Sequence, residues 1–215
     1  MIGLGLDRSA PLRLLCLGAH CDDIEIGAGG TVLRLLAEMP GAQVRWVVFT
    51  GQPRRQAEAR AAARLFLAGA GAAEVELHGL RDGFLPQQWG AVKEEIERIA
   101  SSFAPTLVLT HALEDRHQDH RLVAELTWNT FRDHMVWEYE IPKYEADFGQ
   151  PNLFVPLPRE LAERKVAYLW EAFASQRDRA WFDAETFHGL MRLRAMACNA
   201  PSGRAEAFTC RKVVV

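Results

Sequence analysis

Two short stretches hold most of the side chains in this chain that bind metals and carry protons. The first, LGAHCDDIEIGAGG at 17–30, sets His20, Asp22 and Asp23 directly after the apolar run LRLLCL. The second, HALEDRHQDH at 111–120, follows TLVLT and holds His111, Glu114, Asp115, His117, Asp119 and His120. Imidazole and carboxylate together suit zinc, and three protein ligands with a fourth position open make a catalytic centre rather than a structural one. His20, one of the two aspartates and one later histidine supply that count. The other aspartate is then free to take a proton from a water whose pKa the ion has lowered. Adjacent side chains of an extended segment point opposite ways, so Asp22 and Asp23 are expected to divide the work. His117 and His120 are three apart and share a face on a helical turn, which lets one bind metal while the other reaches a substrate oxygen.

Plainer roles compete for the same residues. Either aspartate can cap a helix that starts near Gly29, and EDRHQDHR can be a charged helix start. Both clusters being idle at two strand ends of one sheet is the less economical account. His78, His134 and His188 lack such company and read as structural or exposed. Cys21 reads as a spacer rather than a soft ligand. GAGG is not GxGxxG and there is no GxxxxGK[ST], so dinucleotide and P-loop chemistry find little support. Two other functions remain open: a non-haem iron oxygenase built on His20-x-Asp22 with His120, and a non-catalytic sugar- or nucleotide-binding module.

The elements that must position these groups alternate. Apolar strands are predicted at 12–18, 43–50, 74–80 and 106–111, and helices at 29–39, 53–70, 88–103 and 120–134. Strand–helix alternation means βαβ units and a parallel sheet with helices on both faces, a Rossmann-like α/β fold. Ligands of such sheets bind beyond the carboxyl ends of the strands, where both clusters fall. A proline-rich loop is expected at about 137–158, covering the substrate side and offering Lys143 to a ligand. Two further helices at 158–176 and 183–197 form a C-terminal helical lobe. No linker divides the 215 residues, so 1–215 reads as one domain.

A net charge of −3 without a basic block argues against a nucleic-acid partner. No apolar run approaches a membrane span, the N-terminal stretch lacks the pattern of a leader, and four scattered cysteines fit a reducing cytoplasm. Whether the chain forms a homo-oligomer is left open.

AHCDDIEIGAGGT resembles the AHPDDE-type signature of the PIG-L/LmbE-like zinc-dependent deacetylases, and DRHQDHR resembles that family's histidine-x-aspartate-histidine motif. The likeness extends to RRQAEARAAARLF, LRDGFLP and the late SQ and AEAF segments. It implies hydrolysis of an N-acyl group, usually acetyl, from a small N-acylated amino sugar or its conjugate, with Zn2+ as cofactor. Carried over, His20, Asp23 and His120 are the zinc ligands and Asp22 the general base. His117 assists the carbonyl, Asp119 orients a histidine, and Arg55 and Asp82 contact substrate. Cys21 stands where proline is usual, Ile24 where an acid is common, and Arg194-Ala195 where many relatives have arginine-glycine.

Overall fold

The computed structural model describes residues 5–6 and 10–214; residues 1–4 and 7–9, part of the stretch read above for a leader, lie outside the described residues. One seven-stranded sheet runs through the chain. Its strands are β1 (Arg13–Gly18), β2 (Gln43–Thr50), β3 (Ala72–Leu80), β4 (Leu107–His111), β5 (Met135–Tyr139), β6 (Leu153–Pro156) and β7 (Ala205–Cys210). Their spatial order is β3-β2-β1-β4-β5-β7-β6. The first five are parallel, and β7 lies antiparallel between β5 and β6. This is the predicted α/β architecture, with an antiparallel edge added.

The helices are α1 (Asp23–Glu38), α2 (Pro53–Phe66), α3 (Trp89–Ser102), α4 (Gln118–Thr130), α5 (Arg159–Ala172) and α6 (Ala184–Cys198). Alternate residues of β1 face opposite ways: Leu14 and Cys16 join the layer under α1, α2 and α5, and Leu15 and Leu17 the layer under α3 and α4. Burial on both faces explains why β1, β2 and β4 read as nearly continuous apolar runs.

The strand order reverses at β1. The chain moves from β1 outward to β2 and β3, then returns to place β4 on the other side of β1. Leaving in opposite directions, the segments after β1 and β4 open a crevice at their carboxyl ends. The two polar clusters are those segments.

Three expectations need correction. Helix α1 begins at Asp23, not Gly29, so the glycines lie inside it. Gly29 is there for close approach: a Cβ on it would come 2.5 Å from Phe66 Cε1 of α2. Helix propensity misleads where contact with a neighbouring element outweighs it. Helix α4 begins at Gln118, which makes His117 its N-cap. The region 137–158 is not one long loop, because it contains the end of β5 and all of β6. Together with β7 these strands escaped the sequence reading, since MVWEY, LFVP and AEAFTC are short and broken by acids, a proline or a threonine, where β1 and β4 are nearly unbroken apolar runs.

Candidate active site

Asp22 occupies the N-cap position of α1 but makes no capping hydrogen bond with its side chain, so capping does not account for it. The His20 N–H donates to Asp23 Oδ2 at 2.6 Å, tying the turn between β1 and α1 to the helix. On the other side of the crevice, the Asp115 carboxylate accepts from the His117 N–H, and the His117 Nδ1 accepts from the Asp119 N–H. These local bonds bring three ligand atoms together. His20 Nδ1 stands 3.0 Å from His120 Nε2 and 3.2 Å from Asp23 Oδ2, and the last two are 3.5 Å apart. The edge of a tetrahedron with metal–ligand bonds of 2.0–2.1 Å is about 3.3 Å. The His20–Asp23–His120 set fits a tetrahedral cation by distance and by donor chemistry.

The other nitrogen of each ring is held by a carboxylate. His120 Nδ1 lies 2.9 Å from Asp115 Oδ2, and His20 Nε2 lies 3.3 Å from Asp119 Oδ2 and 3.2 Å from Asp82 Oδ1. Such partners fix tautomer and ring orientation and raise ligand basicity. Asp119 also accepts from the Gly83 and Leu85 N–H groups, pinning the loop after β3 to the site. Asp82 on that loop has a side chain 70% exposed and meets His20 from the solvent side.

Charge follows geometry. Burial disfavours the charged forms of His20 and His120, but Asp23 and the other carboxylates outweigh it and raise both rings. Burial likewise opposes ionisation of Asp23, and the His120, His20 and His111 rings override it and hold that carboxyl well below its usual range. Asp22 goes the other way. Burial raises it against the pull of Arg55, whose Nη2 is 2.8 Å from Asp22 Oδ2. Burial and the neighbouring imidazoles lower His117. With Nδ1 accepting from the Asp119 N–H, its proton sits on Nε2. Burial pushes the Cys21 thiol up to about 12, and its Sγ donates to the Thr50 carbonyl, in keeping with a spacer.

Other nominated residues are placed less simply. Arg55 does reach the site, but its guanidinium is shared among Asp22, Glu58 and Ser175. Lys143 donates from Nζ to Asp115 Oδ2 and Asp147 Oδ1. There it borders a cleft of about 210 Å³ behind Asp115. The triad His20–Asp22–His120 that an iron oxygenase would use does not converge, because Asp23 takes the carboxylate position and Asp22 faces Arg55. His78 stacks on Phe49 and His188 lies beside Glu163.

Two participants were missed. Asp115 stood in the cluster, but nothing in its spacing distinguished it from Glu114. His111, at the end of β4, is fully buried and stacks on His120 with ring centroids 3.9 Å apart. The Ala19 N–H donates to its Nε2 at 2.9 Å, bonding the β4 end to the β1 end. Burial pushes this ring down to about 4. Its place at the end of a predicted strand was the available signal.

A His–Asp–His cluster at the switch point of a Rossmann-like sheet defines an α/β protein with a candidate metal centre. The family comparison makes the class specific. The model described as PIG-L: GlcNAc-PI de-N-acetylase matches residues 15–131, and the chain belongs to this deacetylase family. The fold is similar to the conserved protein TT1542 from Thermus thermophilus, with TM-score 0.73 and 22% identity over 95% of this chain and 96% of that one. It is also similar to N,N'-diacetylchitobiose deacetylase from Pyrococcus horikoshii, with TM-score 0.72 and 19% identity over 95% and 86%. GalB, the 4-carboxy-2-hydroxymuconate hydratase from Pseudomonas putida, follows with TM-score 0.70 and 19% identity over 95% and 98%.

Proposed function

We propose that the protein is a zinc-dependent hydrolase that removes an N-acyl group, with acetyl the first choice, from a small amino sugar or its conjugate. The observation that carries this reading is the convergence of His20 Nδ1, Asp23 Oδ2 and His120 Nε2 at 3.0–3.5 Å, inside a chain of the de-N-acetylase family. Zinc held there would supply a Lewis acid and lower the pKa of water at neutral pH.

The chain's own residues do the rest. Asp22 is the general base that takes the proton of the attacking water and returns it to the amide nitrogen as the C–N bond breaks, so that the carboxylate and the free amine leave. Its burial raises its basicity toward neutral pH, where a base works best. Arg55, pairing with Asp22, keeps that carboxylate ionised and aimed. His117 offers Nε2–H to the amide oxygen as negative charge builds on it. Donation from a neutral ring suffices for this. Asp115 and Asp119 hold the two ligand rings, and Asp82 closes over His20 from the solvent side. The intact base and ligand set oppose a purely binding role.

The test is acetate release from a panel of N-acetylated sugars by zinc-loaded and chelator-treated protein. The panel is needed because the same fold houses a hydratase, so fold alone does not select amide cleavage. Asp22→Asn is expected to keep the metal and lose about a hundred- to ten-thousand-fold in turnover. His117→Ala should keep the metal and lose about two to three orders of magnitude, while His120→Ala should lose the metal. Zinc lost from the His117 variant but kept by the His120 variant would exchange the two roles. No acetate from any sugar with stoichiometric zinc bound would remove the deacetylase reading.

A further inference from the structure

Helix α1 presents Asp23 to the crevice and is enclosed on all sides; 13 of its 16 residues are buried. One turn beyond Asp23, two ionic side chains from the far end of the chain enter its backbone. Lys165 of α5 donates from Nζ to the Ile26 carbonyl at 2.6 Å and to Glu206 Oε1 at 2.6 Å. Glu206 of β7 accepts from the Gly30 N–H at 2.8 Å through Oε1 and from the Thr31 N–H at 2.6 Å through Oε2. In a regular helix the Gly30 N–H belongs to the Ile26 carbonyl. Here each half of that pairing meets a charged side chain. Both side chains are at most 4% exposed. Gly30 makes room for this, since a Cβ on it would stand 2.9 Å from Glu206 Oε1 and collide with Leu157 Cδ1.

A buried ion pair is a poor source of stability, because desolvation offsets most of its attraction. Its geometric content is larger. Helices normally lock against sliding by packing side-chain ridges into grooves. The face of α1 at Gly27 and Gly30 has no ridges, and a carboxylate on two consecutive N–H groups with an ammonium on the carbonyl below defines the helix position along its axis. Asp23 is only three residues from Ile26, so an error there passes directly to Oδ2.

We propose that Lys165 and Glu206 are positioning residues for the metal ligand Asp23, through which the segment beyond residue 131 sets the geometry of a centre whose ligands all lie before it. This rests on Asp23 being a ligand, as above. Glu206→Gln leaves one amide oxygen for two N–H donors, and Lys165→Met leaves Glu206 buried without its cation. The measurement is Co2+ binding by chelator competition, with the visible d–d bands of the loaded protein reporting ligand geometry. Val92→Ala in the opposite layer serves as a control whose melting temperature also falls. Both pair variants are expected to bind Co2+ about 10–100-fold more weakly than the parent with shifted bands, while the control keeps the parent bands. Affinity unchanged within about threefold, well short of the loss expected on removing a ligand's support, with parent bands, overturns the proposal. If neither variant folds, Gly30→Ala, which retains both charges but displaces the carboxylate, is judged by the same criteria. A parent protein that binds no Co2+ refutes the ligand reading itself and takes this proposal with it, an outcome distinct from failure in the variants alone.

Discussion

At the scale of single residues, the site is a set of opposed shifts. His20 and His120 are raised, Asp23 is lowered well below its range, and Asp22, one position away, is raised. The difference between the two aspartates is their company: Asp23 meets three imidazoles and Asp22 meets one guanidinium against burial. A sign follows for metal binding. The carboxylates around the His20–His120 pair hold protons on it above the ordinary histidine range, and a cation must displace them. Metal affinity is therefore expected to be strongest above those raised values and to fall as pH drops through them, by up to about a hundredfold per pH unit for two protons released. Calorimetric titration in buffers of different ionisation heat counts the protons; a count of zero at a pH below those raised values contradicts the ligand assignment. Asp115 gives a second prediction. It holds His120 Nδ1 at 2.9 Å and receives Lys143 at 3.0 Å. Asp115→Asn removes the anion and is expected to weaken zinc about 10–100-fold with the fold retained, measured by competition with a chromogenic chelator.

At the scale of elements, α1 departs most from its sequence. Glycine costs a helix about 1 kcal/mol relative to alanine, so GAGG reads as the approach to a helix rather than its interior. Packing reverses the sign. Gly29→Ala gains helix propensity but drives a methyl to 2.5 Å from the fully buried Phe66 ring. Overpacking of this kind costs about 1–3 kcal/mol, so the net effect should be destabilising, read as a lower urea midpoint at unchanged slope. A stabilised variant would show that the α1–α2 contact is looser than described. Helix α4 is a milder case: it was expected from 120 and begins at Gln118, which brings His117 from ahead of the helix to its cap and leaves it in the site.

Across the whole molecule, the C-terminal third closes the sheet and reaches back into its centre. Strand β6 has β7 as its sheet partner, β7 joins β5, and Glu206 enters α1. Deleting residues 200–215 removes β7, leaves β6 without its ladder and takes away the carboxylate in α1. The expected result is loss of a cooperative thermal transition together with loss of stoichiometric metal binding, followed by near-ultraviolet circular dichroism and metal analysis. A shortened chain that melts cooperatively and holds zinc would confine the site's support to the first 199 residues. Stability against acid also has a whole-molecule reading. His111 is buried neutral, with its pKa at about 4 in the fold against an ordinary 6.5. Between those values the unfolded chain binds the extra proton, so this residue withdraws stability as pH falls from 6.5 toward 4.

The sequence by itself determined the strand–helix alternation, hence the parallel sheet, and it determined which residue types stand at the ends of β1 and β4. Both are local properties: a run of apolar residues declares a buried strand, and a histidine or aspartate carries its chemistry wherever the chain takes it. The tertiary structure decided which of these groups meet. Asp22 and Asp23 are neighbours of identical type, and only the start of α1 aims one at His20 and His120 and the other at Arg55. Asp115 and Glu114 are likewise adjacent acids, and the path of the loop after β4 turns one to His120 and the other to Arg211. The short strands β5 to β7, the placement of Lys143 behind Asp115, and the entry of Lys165 and Glu206 into α1 all depend on contacts across 28 to 176 positions of sequence. Contacts at such separation leave no period in the chain, because each partner's local pattern is set by its own element and not by the residue it will meet.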